Sequence, residues 1–261
     1  IEEIRKISKK KLAVILNEKD IRPEHLNYLM SDFVGLIDMV RIAIDPKNII
    51  RSIDLAKGLK EMGFTVGFNV MYMSNWLKDS NFLKSLNQVN NVADYFYMVD
   101  SYGGVYPEDV EKIYREVKKH INVKIGFHGH NNLELGLINS ITAIHCGVDI
   151  IDATITGMGR GAGNLKMELL LTFLHSKGYV NVDFNKLSKI VEPFTNIQKT
   201  YGWGTTLPYM VSGANSLPQK DVMEWVGKRF YSFNSIIRAL NNKSEGLIDN
   251  YKLEIFNSNK N

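Results

Sequence analysis

Two histidines stand one residue apart in KIGFHGHNN, residues 124–132, where an apolar run ends. In a β-strand, residues two apart point to the same face. His128 and His130 are therefore expected to project together, with Phe127 and Gly129 on the opposite side. Two neutral imidazoles held side by side are a natural pair of divalent-metal ligands. A lone histidine more often fills a structural hydrogen-bond site, but a same-face pair at a strand end favours the metal.

Two further stretches could carry chemistry. In MVDSYGGVYPEDV, residues 98–110, Asp100 ends an apolar run. Gly103 and Gly104 then permit a tight turn, and Pro107 opens a helical pattern. Asp100 reads either as a substrate-facing carboxylate or as a turn-forming one. In TGMGRGAGN, residues 156–164, glycines alternate between a strand-like run and the helical pattern NLKMELLLTFL. Such a loop exposes backbone N–H groups near a helix N-terminus, a setting suited to an anion. Gly159 and Gly161 are candidate substrate contacts, and Asn164 could give a metal a side-chain oxygen. GMGRGA also satisfies the loose pattern G-x-G-x-x-G/A, with Asp183 about 20 residues on, as in dinucleotide sites. That pattern opens a first βαβ unit, whereas here it closes the last strand of a series.

These residues need a scaffold that gathers strand ends. The chain alternates β-rich runs at 11–17, 38–45, 64–73, 94–101, 123–131 and 149–157 with helical patterns such as NIIRSIDLAKGLKEMG and PEDVEKIYREVKKH. Alternation of this kind argues for an α/β fold with a parallel sheet and crossover helices. Asn17, Asp45, Asn69, Asp100, His128 and His130 fall at the C-terminal ends of several runs. A (β/α)8 TIM barrel collects such ends at one mouth, where an open sheet would spread them along an edge. Asn69 is accordingly a further candidate substrate contact.

Only about six βα units are visible, and a barrel has eight. The expectation is a partial barrel over residues 1–176, apparently lacking its first two βα units, and a C-terminal helical extension over 177–261. Open sheet edges would then favour association, and a homodimer is a candidate assembly.

FHGHNN, VDSYG and GMGRGAGN, in this order, resemble the HMG-CoA lyase-like superfamily of metal-dependent barrels, the DRE-TIM metallolyases, over most of residues 11–176. The closest likeness is to the 4-hydroxy-2-oxovalerate aldolase branch, and WGTTLPY at 203–209 resembles a tail motif of that branch. The resemblance implies a divalent ion, Mn²⁺ or Mg²⁺ with Zn²⁺ as an alternative, held by His128, His130 and Asn164. It further implies a tail tyrosine with a catalytic role, for which Tyr209 is the nearest candidate. The family's first-strand Asp and neighbouring Arg have no counterpart here. The acyl-CoA lyases carry a cysteine in the glycine loop, and this loop has none. The implied reaction is cleavage or formation of a C–C bond in a 4-hydroxy-2-oxo acid through a pyruvate enolate. The ion would polarise the keto oxygen as a Lewis acid. A Claisen-type condensing enzyme of the same superfamily and a non-catalytic fragment are the alternatives.

Composition narrows the remaining classes. The 261 residues carry 32 basic and 28 acidic side chains, a net charge of +4, and the lysines form no stripe that would suggest nucleic acid. No apolar run approaches the ~20 residues of a membrane span. A single cysteine, Cys146, excludes an internal disulfide framework and fits a reducing compartment, so a cytoplasmic protein is expected. The expected partner is a small 2-oxo acid.

Overall fold

The computed structural model describes residues 1–229 and 231–244; residue 230 and the 245–261 portion of the expected extension lie outside the described residues. Six strands form one sheet in the order β1-β2-β3-β4-β5-β6: Ala13–Asn17, Met39–Ile44, Thr65–Val70, Tyr95–Asp100, Lys124–Gly129 and Ile150–Ile151. The pairings β1–β2, β2–β3, β3–β4 and β5–β6 are parallel. Consecutive order with helical crossovers is the arrangement of successive βα units in a (β/α)8 barrel. Every expected β-run contains a strand. The run at 149–157 yields only Ile150–Ile151, because the chain turns into a 3₁₀ segment at Ile155–Gly157 with Thr156 left-handed at φ 54°.

The α-helices are α1 (Glu2–Ile7), α2 (Leu26–Met30), α3 (Ile49–Glu61), α4 (Ser80–Ser85), α5 (Pro107–Lys118), α6 (Gly136–Cys146), α7 (Met167–Ser176), α8 (Phe184–Tyr201), α9 (Leu207–Ala214), α10 (Gln219–Lys228) and α11 (Phe233–Ser244). In α5, Val110, Ile113 and Val117 recur at helical spacing and are buried. Glu108 and Asp109 sit in its first turn and Arg115 and Lys118 in its last, complementing the helix dipole.

The chain divides into two compact units. The first comprises Ile1–Val99, Glu108–His128 and Ala143–Ile151. Its core is built from strand residues such as Val66, Phe68, Phe96 and Phe127, all fully buried. Strands buried on both faces are what a parallel sheet requires. Within this core the Arg41 guanidinium lies 3.6 Å above the Tyr97 ring and hydrogen-bonds Asn69 Oδ1. Gly126 makes room for that ring, since a Cβ there would collide with it.

The second unit comprises Asp100–Pro107, Gly129–Thr142 and Asp152–Asn261. Its core contains Tyr209, Leu217, Val222, Trp225, Tyr231, Ile236, Ala239 and Leu240 from the tail. Ala162, in the middle of the glycine loop, is part of the same cluster. Packing of the tail thus fixes the loop.

Candidate functional site

Three loops of the second unit follow strand ends, and one tail segment ties them together. The chain after β5 pairs with the far side of the glycine loop: His130 bridges Asn164, Asn131 N–H donates to Gly163 O at 3.0 Å, and Leu165 N–H donates to Gly129 O at 3.3 Å. WGTTLPY then clasps both. Trp203 Nε1–H donates to Thr156 O at 3.0 Å, and Gly204 N–H to Gly161 O at 3.0 Å. Thr205 Oγ1–H donates to Asn132 O at 2.7 Å. Asn132, buried to 3 % exposure, returns two bonds from its Nδ2, to Tyr209 O at 3.1 Å and Gln219 Oε1 at 2.9 Å. A buried amide satisfied in this way specifies one arrangement of the loops around it.

Asp100 controls the third loop. Its carboxylate is buried and accepts the N–H groups of Gly104 at 3.2 Å and Val105 at 3.3 Å. Its main-chain oxygen accepts from Gly103 N–H at 3.1 Å and lies 2.7 Å from His130 Nδ1. A carbonyl oxygen can only accept, so a neutral ring making this hydrogen bond carries its proton on Nδ1 and its lone pair on Nε2. Metal-binding histidines are commonly oriented in this manner by a carbonyl behind the ring.

Asn164 stands across the bridge from His130 and carries a side-chain oxygen. Its Nδ2 donates to Met158 O at 2.9 Å, which fixes the direction of the amide. The Oδ1 atom is buried and has no hydrogen-bond partner among the described residues. A buried oxygen left in this state costs free energy, and a cation is one partner that would satisfy it. An imidazole nitrogen with an amide oxygen is a mixed N/O donor set compatible with Mn²⁺, Mg²⁺ or Zn²⁺. Among the described residues, no group of three or more His, Cys, Asp or Glu side chains is placed to hold an ion.

The glycine loop faces the tail across a cavity of about 430 Å³. Gly159, Gly161 and Tyr209 all line it. A Cβ on Gly161 would come within 3.3 Å of Tyr209 Cε1, and one on Gly159 within 2.5 Å of Asn164 Nδ2. The loop therefore touches the candidate ligand on one side and the candidate tyrosine on the other. Tyr209 is only 4 % exposed, and burial pushes its hydroxyl pKa above the ordinary value of 10.

Of the residues expected from sequence, Asp100, His130, Gly159, Gly161, Asn164 and Tyr209 belong to this unit. His128 and Asn69 belong to the first unit, where Asn69 bonds Arg41. Asn132, Thr205 and Trp203, which hold the loops, escaped sequence reasoning. The only signal for them was the second asparagine of FHGHNN and the polar start of WGTTLPY. Arg41 and Tyr97 were also missed, although an arginine amid the apolar run MVRIAI was legible as a buried cation.

The fold and these strand-end loops define a (β/α)8-type domain whose polar groups gather after the C-terminal ends of parallel strands. Comparison with known proteins narrows this: residues 37–193 match the HMGL-like family model, and the chain belongs to the HMGL-like family. It is 35 % identical over 143 residues to 4-hydroxy-2-oxovalerate aldolase of Geobacillus stearothermophilus, covering 54 % of this chain and 40 % of that protein. It is 37 % identical over 145 residues to the protein of the same name from Roseiflexus castenholzii, covering 54 % of this chain and 42 % of the relative. The matches thus span less than half the length of these curated relatives. Among solved structures, the N-terminal domain of a candidate aldolase from Bacteroides vulgatus is 60 % identical, with a TM-score of 0.86, covering 91 % of this chain and 79 % of that one. The carboxyl transferase domain of Rhizobium etli pyruvate carboxylase (Y628A, with pyruvate) shares the fold at 14 % identity, with a TM-score of 0.65 over 83 % of this chain and 41 % of that one. Among the described residues, no helix is long and apolar enough to cross a membrane.

Proposed function

We propose that this chain carries the catalytic core of a divalent-metal-dependent carbon–carbon lyase that cleaves a 4-hydroxy-2-oxo acid to pyruvate and an aldehyde. The observation that carries this reading is the pairing of His130 and Asn164. One presents an imidazole whose lone pair is set on Nε2, the other a buried oxygen with no partner among the described residues. His128, two residues back in the sequence and within β5, is the proposed second imidazole. The relatives named aldolase support the reaction class.

A divalent ion, when bound, supplies Lewis acidity toward a substrate keto oxygen. The protein's residues do the rest. Asp100 holds His130 in one tautomer through its main-chain oxygen and shapes the following turn through its carboxylate. Met158 O fixes the Asn164 amide. Gly159 and Gly161 allow the loop backbone to approach a substrate without side-chain interference. Cleavage passes the 4-hydroxyl proton to a general base outside this set of residues, turns C4–O into the aldehyde carbonyl and breaks C3–C4, leaving its electron pair in the pyruvate enolate. Tyr209, kept protonated by burial, is a hydrogen-bond donor suited to the 4-oxygen. The tail, closed over the loop, limits water at the enolate.

The test is pyruvate release by the full-length protein from 4-hydroxy-2-oxo acids, with and without a chelator. Metal-dependent release is expected. Absence of release with every 4-hydroxy-2-oxo acid and divalent ion tried would refute the reading.

A further inference from the structure

The cavity beside the glycine loop has a chemistry that pyruvate does not explain. Two arginines line it, Arg160 from the glycine loop and Arg229 from the end of α10. Neither guanidinium has a hydrogen-bond or ion-pair partner among the described residues. Arg229 Nη2 is directed at Gly202, which also lines the cavity: a Cβ there would lie 2.7 Å from it. A carboxylate, Glu224, also lines the cavity and is ion-paired with Lys228 at 2.6 Å. The remaining walls are largely apolar, from Trp203, Tyr209 and Met223. Trp203 and Tyr209 are both nearly buried; the Trp203 ring donates from Nε1 to Thr156 O, and the Tyr209 main chain accepts from Asn132. A volume of about 430 Å³ lies in the range of roughly 300–1,000 Å³ usual for small-molecule sites.

We infer that this cavity receives the aldehyde half of the substrate, and that this half is a short chain ending in an anionic group. The inference rests on the lyase reading for what sits at the other end. Three features support it. Gly159 touches both Asn164 and the cavity, so a substrate held near Asn164 would extend into it. Tyr209, the proposed partner of the 4-oxygen, stands on the cavity wall, at the point where the aldehyde half begins. The cavity wall also offers apolar surface for methylene groups and two guanidiniums that have no partner among the described residues. Guanidinium groups bind carboxylate and phosphate alike, in a bidentate fork. The shared chemistry is therefore a terminal oxyanion. Both guanidiniums are exposed and therefore hydrated, and a substrate with a neutral end would gain nothing from them.

The reaction run in reverse balances without any co-reactant. Pyruvate gives up a C3 proton, its C3 forms a bond to the aldehyde carbon, and the carbonyl π-pair becomes an alkoxide that takes a proton.

The test compares three aldehydes by calorimetric titration of the full-length protein: succinic semialdehyde, 3-phosphonopropanal, and butanal as the neutral control. At least one anionic aldehyde should bind about tenfold more tightly than butanal or better, the worth of a charge-assisted hydrogen bond. The tighter of the two identifies carboxylate or phosphate as the recognised group. Arg160→Gln and Arg229→Gln should each erase most of that preference while leaving butanal binding unchanged, which also reports that the variants are folded. Equal affinity for all three aldehydes, or a preference unaltered in both variants, would overturn the inference. Aldol addition with pyruvate is measured separately. Anion-selective binding without addition would sink the lyase reading and leave the anion pocket standing. Addition with equal affinity for the three aldehydes would do the reverse.

Discussion

The imidazole Nδ1 of His130 lies 2.7 Å from the main-chain oxygen of Asp100, and the carboxylate of the same aspartate holds the next turn by two backbone N–H groups. One residue therefore sets both the tautomer of a candidate ligand and the path of the chain beside it. Asp100→Ala would leave two amides without their acceptor, at about 1–3 kcal/mol each where buried. The main-chain oxygen behind His130 is kept in this variant, so we expect metal affinity to fall by at most about tenfold, through loosening of the turn that carries that oxygen. Asp100→Asn keeps one acceptor oxygen and should lose much less. A competitive chelator titration of the two variants checks this; equal, wild-type affinity in both would remove Asp100 from the site.

The turn after β4 and helix α9 meet backbone to backbone. A Cβ on Gly104 would collide with the main-chain oxygen of Gly213, and Gly213 in turn packs against Asn132. Gly104→Ala should destabilise the protein by roughly 3 kcal/mol, the upper end for overpacking. Gly227, in α10, has open space where its Cβ would stand. Gly227→Ala should instead stabilise by about 0.5–1 kcal/mol. Denaturant midpoints measured side by side would show the opposite signs, and a harmless Gly104→Ala would mean the tail does not dock as described.

Tyr209 is buried against the glycine loop, and burial raises its hydroxyl pKa above 10. Its hydroxyl therefore stays protonated through the neutral and mildly alkaline range. Tyr209→Phe should fold normally and lower kcat about 10-fold, the scale of one lost hydrogen bond to the reacting oxygen. The wild-type pH–rate profile should show no alkaline limb from this residue below about pH 10. A Tyr209→Phe enzyme with unchanged kcat would leave the hydroxyl without a role.

Asp38 ties α1 to the start of β2. The Arg5 guanidinium beside it, at 2.5 Å, and the N–H of Leu12, at 2.8 Å, hold its carboxyl below the ordinary 3.8. A carboxyl with a depressed folded pKa adds stability that is fully present above the unfolded value and is lost as pH falls through the folded one. Melting temperatures should therefore drop on acidification below about pH 3.8, with a shallower drop in Asp38→Asn. Parallel acid profiles for the two proteins would show that the pair is not felt.

Much of the fold was legible because period and punctuation agree. Alternating β-runs and helical patterns gave all six strands, and Pro107 with its acidic first turn marked the start of α5. His128, His130 and Asp100 were legible as polar residues at or just past strand ends, and Asn164 as the end of the glycine loop. The shortness of β6 was not, because Thr156 adopts a left-handed conformation that no residue preference predicts. The clasp made by Trp203, Gly204 and Thr205 was hidden for another reason. Its bonds join residues 43 to 73 positions apart and all run to main-chain oxygens, which leave no trace in side-chain pattern. The buried Arg41 was visible as an anomaly in an apolar run, but only the structure shows the Tyr97 ring beneath it.

The most direct test of the account is the metal content of the full-length protein and its His130→Ala and Asn164→Ala variants, measured by elemental analysis after gel filtration. The account predicts one bound divalent ion per wild-type chain, its near-complete loss in His130→Ala, and an affinity about 10- to 100-fold weaker in Asn164→Ala. Undiminished metal in both variants, with their folds intact, would contradict it.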